Sequence, residues 1–253
     1  VPSLIEQIKQ SVKRYLHRGA KYTCPFCNYS ARDLAPIGVQ SPLFEKYRIV
    51  GSGRRFGGCY ACRSTDRERL IFAYLQYETD FFKRKDQAVL HLAPEEFLQK
   101  EILKHAFTDY VCGDFFTAGY AYADFVQHMD VTDLPLSDAS FDWVICNHVL
   151  EHVTDDGQAM RELFRVLKPG GRAVLQVPYA IDLPVTFEDP TITSPEARTA
   201  HYGQFDHVRL YGADYPDRLR AAGFEVSLRY LAERYPTLGV HAEEALFEIR
   251  KPL

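Results

Sequence analysis

Long hydrophobic runs are missing: no apolar stretch approaches the ~20 residues of a bilayer-crossing helix, and the opening V-P-S-L-I-E-Q-I-K-Q has no secretory-signal pattern. Both absences point to a cytoplasmic protein with no membrane partner. Internal repeats and low-complexity tracts are also lacking, which removes repeat architectures. Cysteine is sparse, with six among 253 residues; without an export signal such thiols serve metals or chemistry more often than disulfides. Lys-rich tracts are absent, and the net charge is only −4. The balance is nevertheless uneven. Residues 1–85 hold 16 Lys+Arg against 7 Asp+Glu, whereas residues 86–253 hold 14 against 27. A basic front of this kind suits an anion such as RNA or a phosphorylated glycan, or its own acidic neighbour. At 46% hydrophobic residues the chain can bury one large domain, or a medium one beside a small one.

What is present begins with an amphipathic helix over residues 4–16, whose Leu4, Ile5, Ile8, Val12 and Leu16 require a packing surface. Y-T-C-P-F-C and G-G-C-Y-A-C follow, placing Cys24 and Cys27, then Cys59 and Cys62, in two turn-forming C-x-x-C pairs. Four thiolates at this spacing can close tetrahedrally on a structural zinc ion with no open position for water. A redox dithiol is the alternative. S-T-D-R-E-R-L-I-F-A-Y-L reads as the start of a capped helix ending near residue 85, with Arg67 and Arg69 on solvated surface. Residues 1–85 therefore form a small zinc-binding module joined by a linking helix to a second unit, 86–253.

The centre of that unit is residues 140–178. F-D-W-V-I-C is a buried strand, N-H-V-L-E-H-V-T-D-D leads into a helix carrying Met160, Leu163, Phe164 and Leu167 at helical spacing, K-P-G-G stops the helix, and A-V-L-Q-V at 173–177 is the next strand. Two apolar strands joined by an amphipathic helix lie parallel in a sheet covered on both faces. These residues resemble the middle of a class I S-adenosylmethionine-dependent methyltransferase, and the resemblance covers roughly residues 86–253. It implies an α/β, Rossmann-like, seven-stranded sheet, mostly parallel with one reversed strand, and S-adenosyl-L-methionine as cofactor. With further strands at 87–92, 110–112 and 125–129, the resemblance sets the cofactor along His91, Ala93, Pro94 and Glu95. Asp130, Val131 and Thr132 then stand beside the adenine, and Asn147 and His148 beside the methionine part. Asp114, an acidic residue about 20 positions past the first turn, is placed to grip ribose hydroxyls. His152 reads as a backbone-bonded helix-start histidine. One departure from the family is A-P-E-E in place of its Gly-rich turn, with Pro94 in the first helical turn. Glu95 and Glu96 at a helix N-terminus repel a pyrophosphate but not a sulfonium, which disfavours NAD and FAD.

Residues 179–213 form a long connection after a central strand, dense in polar and aromatic residues, and a segment of this length is usually functional. As a lid it would carry pocket candidates such as Glu188, Arg198, Arg209 and Tyr211. Within Q-F-D-H-V-R, His207 oriented by Asp206 is the candidate general base, with His201 as alternative. Two other readings are D-H-V-R as a clasp over the cofactor, and His201, Asp206 and His207 as ligands of a second metal. A helix at 214–222 and strands at 224–228 and 245–249 close the sheet edge. Three functions follow from the resemblance: O- or N-methylation of a small-molecule or glycan acceptor; methylation of RNA gripped by the basic zinc module; or a non-catalytic cofactor-binding module. Overall acidity and the absence of Lys-rich tracts count against RNA, and the lack of an Asn/Asp-Pro-Pro-aromatic motif after the fourth strand counts against base-amine methylation of the usual kind.

Overall fold

The computed structural model describes residues 3–116 and 121–253. Helix α1 (Leu4–Leu16) opens with a capping box, in which Ser3 Oγ accepts from the Glu6 N–H and Glu6 Oε2 accepts from the Ser3 N–H. Its apolar stripe finds no cover among the described residues: Ile5, Ile8, Val12 and Leu16 are all exposed. The helix is tied down instead by polar contacts, with Gln10 donating to the Tyr60 carbonyl and the Tyr29 hydroxyl donating to the Arg14 carbonyl. Two small antiparallel ladders follow, β1 (Arg18–Thr23) with β2 (Ser30–Ala31), and β3 (Ala35–Ile37) with β5 (Arg55–Gly58); α2 (Pro42–Lys46) and β4 (Ile49–Val50) lie between β3 and β5.

The expected single helix at 64–85 is three pieces. Helix α3 (Asp66–Ala73), capped by Thr65 and Glu68, passes into a π-helical turn at Tyr74–Glu78 and a 3-10 turn at Phe81–Lys83. Thr79 Oγ1 donates to the Leu75 carbonyl at 2.8 Å, giving that acceptor a partner where the helix breaks. The register change lets Leu70, Ile71, Tyr74 and Leu75 all bury on the large sheet. Arg69, expected in solvent, is 1% exposed and donates to the carbonyls of Gly57, Ser64, Leu238 and Gly239. One guanidinium thus clamps the module to a loop near the carboxyl end of the chain.

The second unit runs β6 (Ala88–Leu92), α4 (Glu96–His105), β7 (Asp109–Asp114), β8 (Val126–His128), β9 (Phe141–Cys146), α5 (Asp156–Val166), β10 (Leu167–Val174), β11 (Tyr179–Ala180), α6 (Pro195–Tyr202), α7 (Tyr215–Ala221), β12 (Glu225–Arg229) and β13 (Leu246–Arg250). Seven strands form one sheet in the order β12-β13-β10-β9-β6-β7-β8, and β13 is antiparallel to both its neighbours, the single reversed strand. All five residues of β6 are buried, as a parallel strand covered on two faces requires. Val89, Trp143, Ile145 and Val174 pack against α3 and α4; Leu90, Val144, Cys146 and Ala173 pack against α5 and α7. Cys112 and Cys146 are small core residues.

K-P-G-G does not sit between helix and strand. Helix α5 ends at Val166 and the four residues belong to β10, which bulges between Leu167 and Arg172 around Gly170 at φ +74. Residues 179–213 are ordered by their own contacts and by the N-terminal module. Strand β11 pairs antiparallel with β4, and Ile49, Ala180, Tyr202 and Leu210 share a small core. Arg48 bonds both Asp182 and Glu243. Among the described residues no helix is long and apolar enough to cross a membrane.

Candidate functional site

Strand β6 lies between β7 and β9, so the chain order reverses there. The crevice beyond the carboxyl ends of β6 and β9 is where an open α/β sheet binds ligands. Ala93 leaves β6 at φ +47, and its N–H donates to the Gly113 carbonyl at 2.8 Å: a left-handed turn built without the expected glycine. Helix α4 begins at Glu96 with Glu95 as its cap, so Pro94 lies outside it. His91 is fully buried, its ring held between the Tyr110 hydroxyl and Glu95 Oε2 at 2.9 Å each. It therefore steers Glu95 from below. Burial works to raise the Glu95 carboxyl, but the hydrogen bond and charge of His91 outweigh it and hold the group below its ordinary range. Asp114 ends β7 half-buried, its carboxyl raised by burial against the pull of the Phe115 N–H. Asp130 shapes its own turn, Oδ1 accepting from the Thr132 N–H at 2.8 Å and the Thr132 hydroxyl at 2.7 Å, and Val131 is buried beside it.

Across the crevice, β9 runs out into Asn147 and His148. Asn147 Oδ1 accepts from the Gln176 N–H at 3.2 Å, whereas its buried Nδ2 has no hydrogen-bond partner. His148 sits at φ +56, and neither of its buried ring nitrogens has a hydrogen-bond partner; Nδ1 is 3.5 Å from Glu151 Oε1. Burial, aided by the Arg67 charge, pushes the imidazole below its usual range, so the ring is neutral at neutral pH. Glu151, 2% exposed, is raised by burial but lowered further by His148, His152 and His207, which together hold it at about 2.

The His152 ring, unlike its N–H, has no backbone partner among the described residues. Its Nδ1 lies 3.3 Å from Asp206 Oδ2, its Nε2 3.9 Å from Glu151 Oε1, and its ring meets that of His207 edge-on at 4.7 Å. His207 is buried, its imidazole lowered mainly by burial. His201 is exposed on α6, its ring 6.1 Å from Phe187, and is not part of this group. Most of the polar residues expected to line an acceptor pocket hold the 179–213 segment together instead. Arg209 donates to the carbonyls of Leu150, Val153 and Thr154 and pairs with Glu188 at 2.9 Å; Tyr211 donates to Asp156 Oδ2 at 2.7 Å.

Two residues escaped sequence reading. Glu244 is 3% exposed, and burial, reinforced by Asp66, pushes its carboxyl up to about 7 against Arg55 and Arg67. Gly51, at φ +74, comes so close that a Cβ there would lie 3.3 Å from Glu244 Oε1 and 3.5 Å from both His148 Cε1 and Pro178 Cα. Arg67 donates to the Gly51 carbonyl at 3.2 Å. The N-terminal module thus descends on the rim of the sheet, and no local motif in the sequence announces it.

A family model described as a methyltransferase domain matches residues 94–175. A "Probable S-adenosylmethionine-dependent methyltransferase" of Mycolicibacterium smegmatis is 33% identical over 124 residues, 49% of this chain and 41% of that protein. Over residues 94–175 the chain is thus similar to the methyltransferase domain family. A demethylmenaquinone methyltransferase of Clavibacter sepedonicus is 48% identical to it over 58 residues, 23% of each chain. In fold, the chain is similar to phosphoethanolamine N-methyltransferase 2 of Haemonchus contortus, solved in complex with S-adenosyl-L-methionine, with a TM-score of 0.50, 12% identity and coverage of 74% of this chain and 53% of that one. The chain spans less than half the length of the curated relatives it matches.

The four cysteines of the N-terminal module converge. Cys24 Sγ lies 3.6 Å from Cys62 Sγ and Cys27 Sγ 3.7 Å from Cys59 Sγ, and all four sulfurs fall within 4.8 Å of one another. Zinc–sulfur bonds of ~2.3 Å in a tetrahedron give sulfur–sulfur edges of about 3.8 Å, so this donor set fits zinc. The two knuckles share one turn: Asn28 and Arg63 have positive φ, and their N–H groups donate to the Cys24 and Cys59 carbonyls at 2.9 Å each. Ser64 Oγ lies 3.3 Å from Cys24 Sγ and 3.2 Å from Cys62 Sγ. The next residue, Thr65, caps α3, and Glu68 Oε1 accepts from the Phe97 N–H at 3.1 Å, in the first turn of α4. A chain of named contacts therefore runs from the cysteines to the crevice.

Proposed function

We propose that the chain transfers a methyl group from S-adenosylmethionine to a small-molecule or glycan acceptor, at oxygen or nitrogen, with His148 as the base. Bound in the crevice, that cofactor supplies an electrophilic methyl on a positively charged sulfur. The residues fit such a guest. Asp114 offers a carboxylate to a ribose, the unpartnered Asn147 Nδ2 offers a donor, and Glu95 brings negative charge where a pyrophosphate would be repelled. The observation that carries the choice of base is the buried His148 ring with two unpartnered nitrogens, 3.5 Å from Glu151. A neutral imidazole beside a carboxylate accepts an acceptor proton and is then stabilised as a cation. This moves the base from His207, which is already engaged with Glu151 and His152. An enclosed acceptor is supported by the module's Gly51 loop and by β11 closing over the rim.

The same reading gives the four cysteines a structural zinc ion, supported by their separations. Six free thiols suit a reducing compartment such as the cytoplasm. RNA remains a second reading because Lys9, Lys13 and Arg18 form no ion pair among the described residues, and Tyr15 and Phe56 are exposed on the same module.

Isothermal titration should detect binding of S-adenosylmethionine and its demethylated product; no binding by either would refute the reading. Asp114→Ala should weaken it by ~1 to 3 kcal/mol, about 5- to 150-fold, and unchanged affinity would remove the ribose assignment. His148→Asn should keep cofactor affinity while losing ~100-fold or more in methyl transfer to hydroxyl or amine acceptors. Steeply salt-dependent RNA binding, with RNA as the only methylated acceptor, would replace the small-molecule reading.

A further inference from the structure

The geometry points to a second metal site, in which Glu151, His152 and His207 hold a borderline divalent cation of the zinc type at the junction between the β9 exit and the 179–213 segment. One ligand atom from each of the three residues lies within 4.8 Å of the others. Two imidazoles and a carboxylate select borderline transition ions over magnesium and calcium, which prefer oxygen alone. Three protein ligands leave a position open.

Two independent features favour an ion here over a packed polar cluster. Glu151 Oε2 is buried without a hydrogen-bond partner, although the surrounding chain has fixed the residue firmly: its carbonyl accepts from the Val208 N–H at 2.9 Å. A buried carboxylate oxygen left unmatched is costly. Next, His152 is supported from behind in the manner of a metal ligand: it turns Nδ1 to Asp206 Oδ2 at 3.3 Å, which leaves Nε2 for Glu151 and the ion. His152, with a side chain 32% exposed, provides the entry path. Held this way, an ion would staple residue 207 of the long connection to the turn at Leu150–His152, reinforcing the grip of Arg209 on the same turn. The cation set differs from that expected from sequence: His201 is out, and Asp206 supports a ligand without being one.

The test is metal stoichiometry, which does not depend on methyl transfer. The whole chain, with its cysteine site first saturated with zinc, is titrated with cobalt(II) and followed by absorption and calorimetry. A second equivalent should bind with a nitrogen–oxygen spectrum free of thiolate charge transfer, and Glu151→Gln and His207→Gln should each abolish it. Asp206→Asn should weaken it ~10- to 100-fold, the usual effect of losing a supporting carboxylate. Thermal melting identifies any variant that fails to fold, and His152→Asn, at the most exposed of the three ligands, then supplies the same readout. Amide exchange at residues 203–210 should slow on cobalt addition. Absence of a second equivalent, or its retention in the Glu151 and His207 variants, would overturn the site.

Discussion

Glu244 shows how a single side chain can set a pH profile. Its carboxyl is sealed under Gly51 and titrates at about 7 instead of 4.5. A raised carboxylate favours the folded state fully below the unfolded value, and that stability is lost as pH climbs through about 7. The cost of ionising it is on the order of 3 kcal/mol. Glu244→Gln should therefore melt several degrees above wild type at pH 8 and match it near pH 4.5, in scans at both values; equal melting at pH 8 would mean that water already reaches the group. His148 and His207 act with the opposite sign to this loss, their lowered imidazoles withdrawing stability as pH falls below about 6.5. The four cysteines were legible from spacing alone, because C-x-x-C fixes the local turn that each knuckle uses. His148 was placed at the exit of its strand, but its unpartnered nitrogens and the sealed carboxyl of Glu244 were not legible, since a missing partner or a sealed neighbour depends on residues far away in the chain.

At the scale of elements, periodicity located the strands and failed at their junctions. F-D-W-V-I-C became β9 with the predicted limits, because its apolar side chains are buried on both faces. K-P-G-G carries every sign of a helix stop and is nonetheless strand, because a bulge tolerates Pro169 and Gly170 next to the reversed β13. The turn after β6 posed the reverse problem: its Ala93 adopts the left-handed conformation that a glycine normally supplies. Alanine there carries ~1 kcal/mol of strain, only part of which glycine would return as chain entropy. Ala93→Gly should thus raise the melting temperature by about 1 to 3 °C with cofactor affinity unchanged; a fall in melting temperature would show that the methyl group packs usefully. Helix α1 was correctly bounded, yet the surface its stripe was expected to cover is not among the described residues.

For the whole molecule, the division at residue 85 describes the chemistry of the two parts better than their mechanics. Arg69 grips carbonyls on both sides of it, β4 pairs with β11, and Glu68 ties α3 to the first turn of α4. Composition revealed a basic module beside an acidic unit, and Arg48 with Asp182 and Glu243 is where that contrast becomes contact; the paired backbone strands could not be foreseen from charge. With zinc loaded on the four cysteines, chelation should loosen residues 20–65 first, as seen by amide exchange, because metal binding at such a site is coupled to local folding. Cofactor affinity should then decline less than about tenfold, transmitted through Ser64 and Glu68. Abolished cofactor binding at the moment of chelation would show that the cysteine cluster belongs to the reaction centre itself.

The closeness of Gly51 to His148 carries one more consequence. The roof over His148 is written nearly a hundred positions upstream of it, so a fragment lacking the front of the chain would open that ring to bulk water even if the sheet survived. A residue wider than Gly51 would press first on Glu244, His148 and Pro178, reshaping the crevice from above while the strands beneath keep their places.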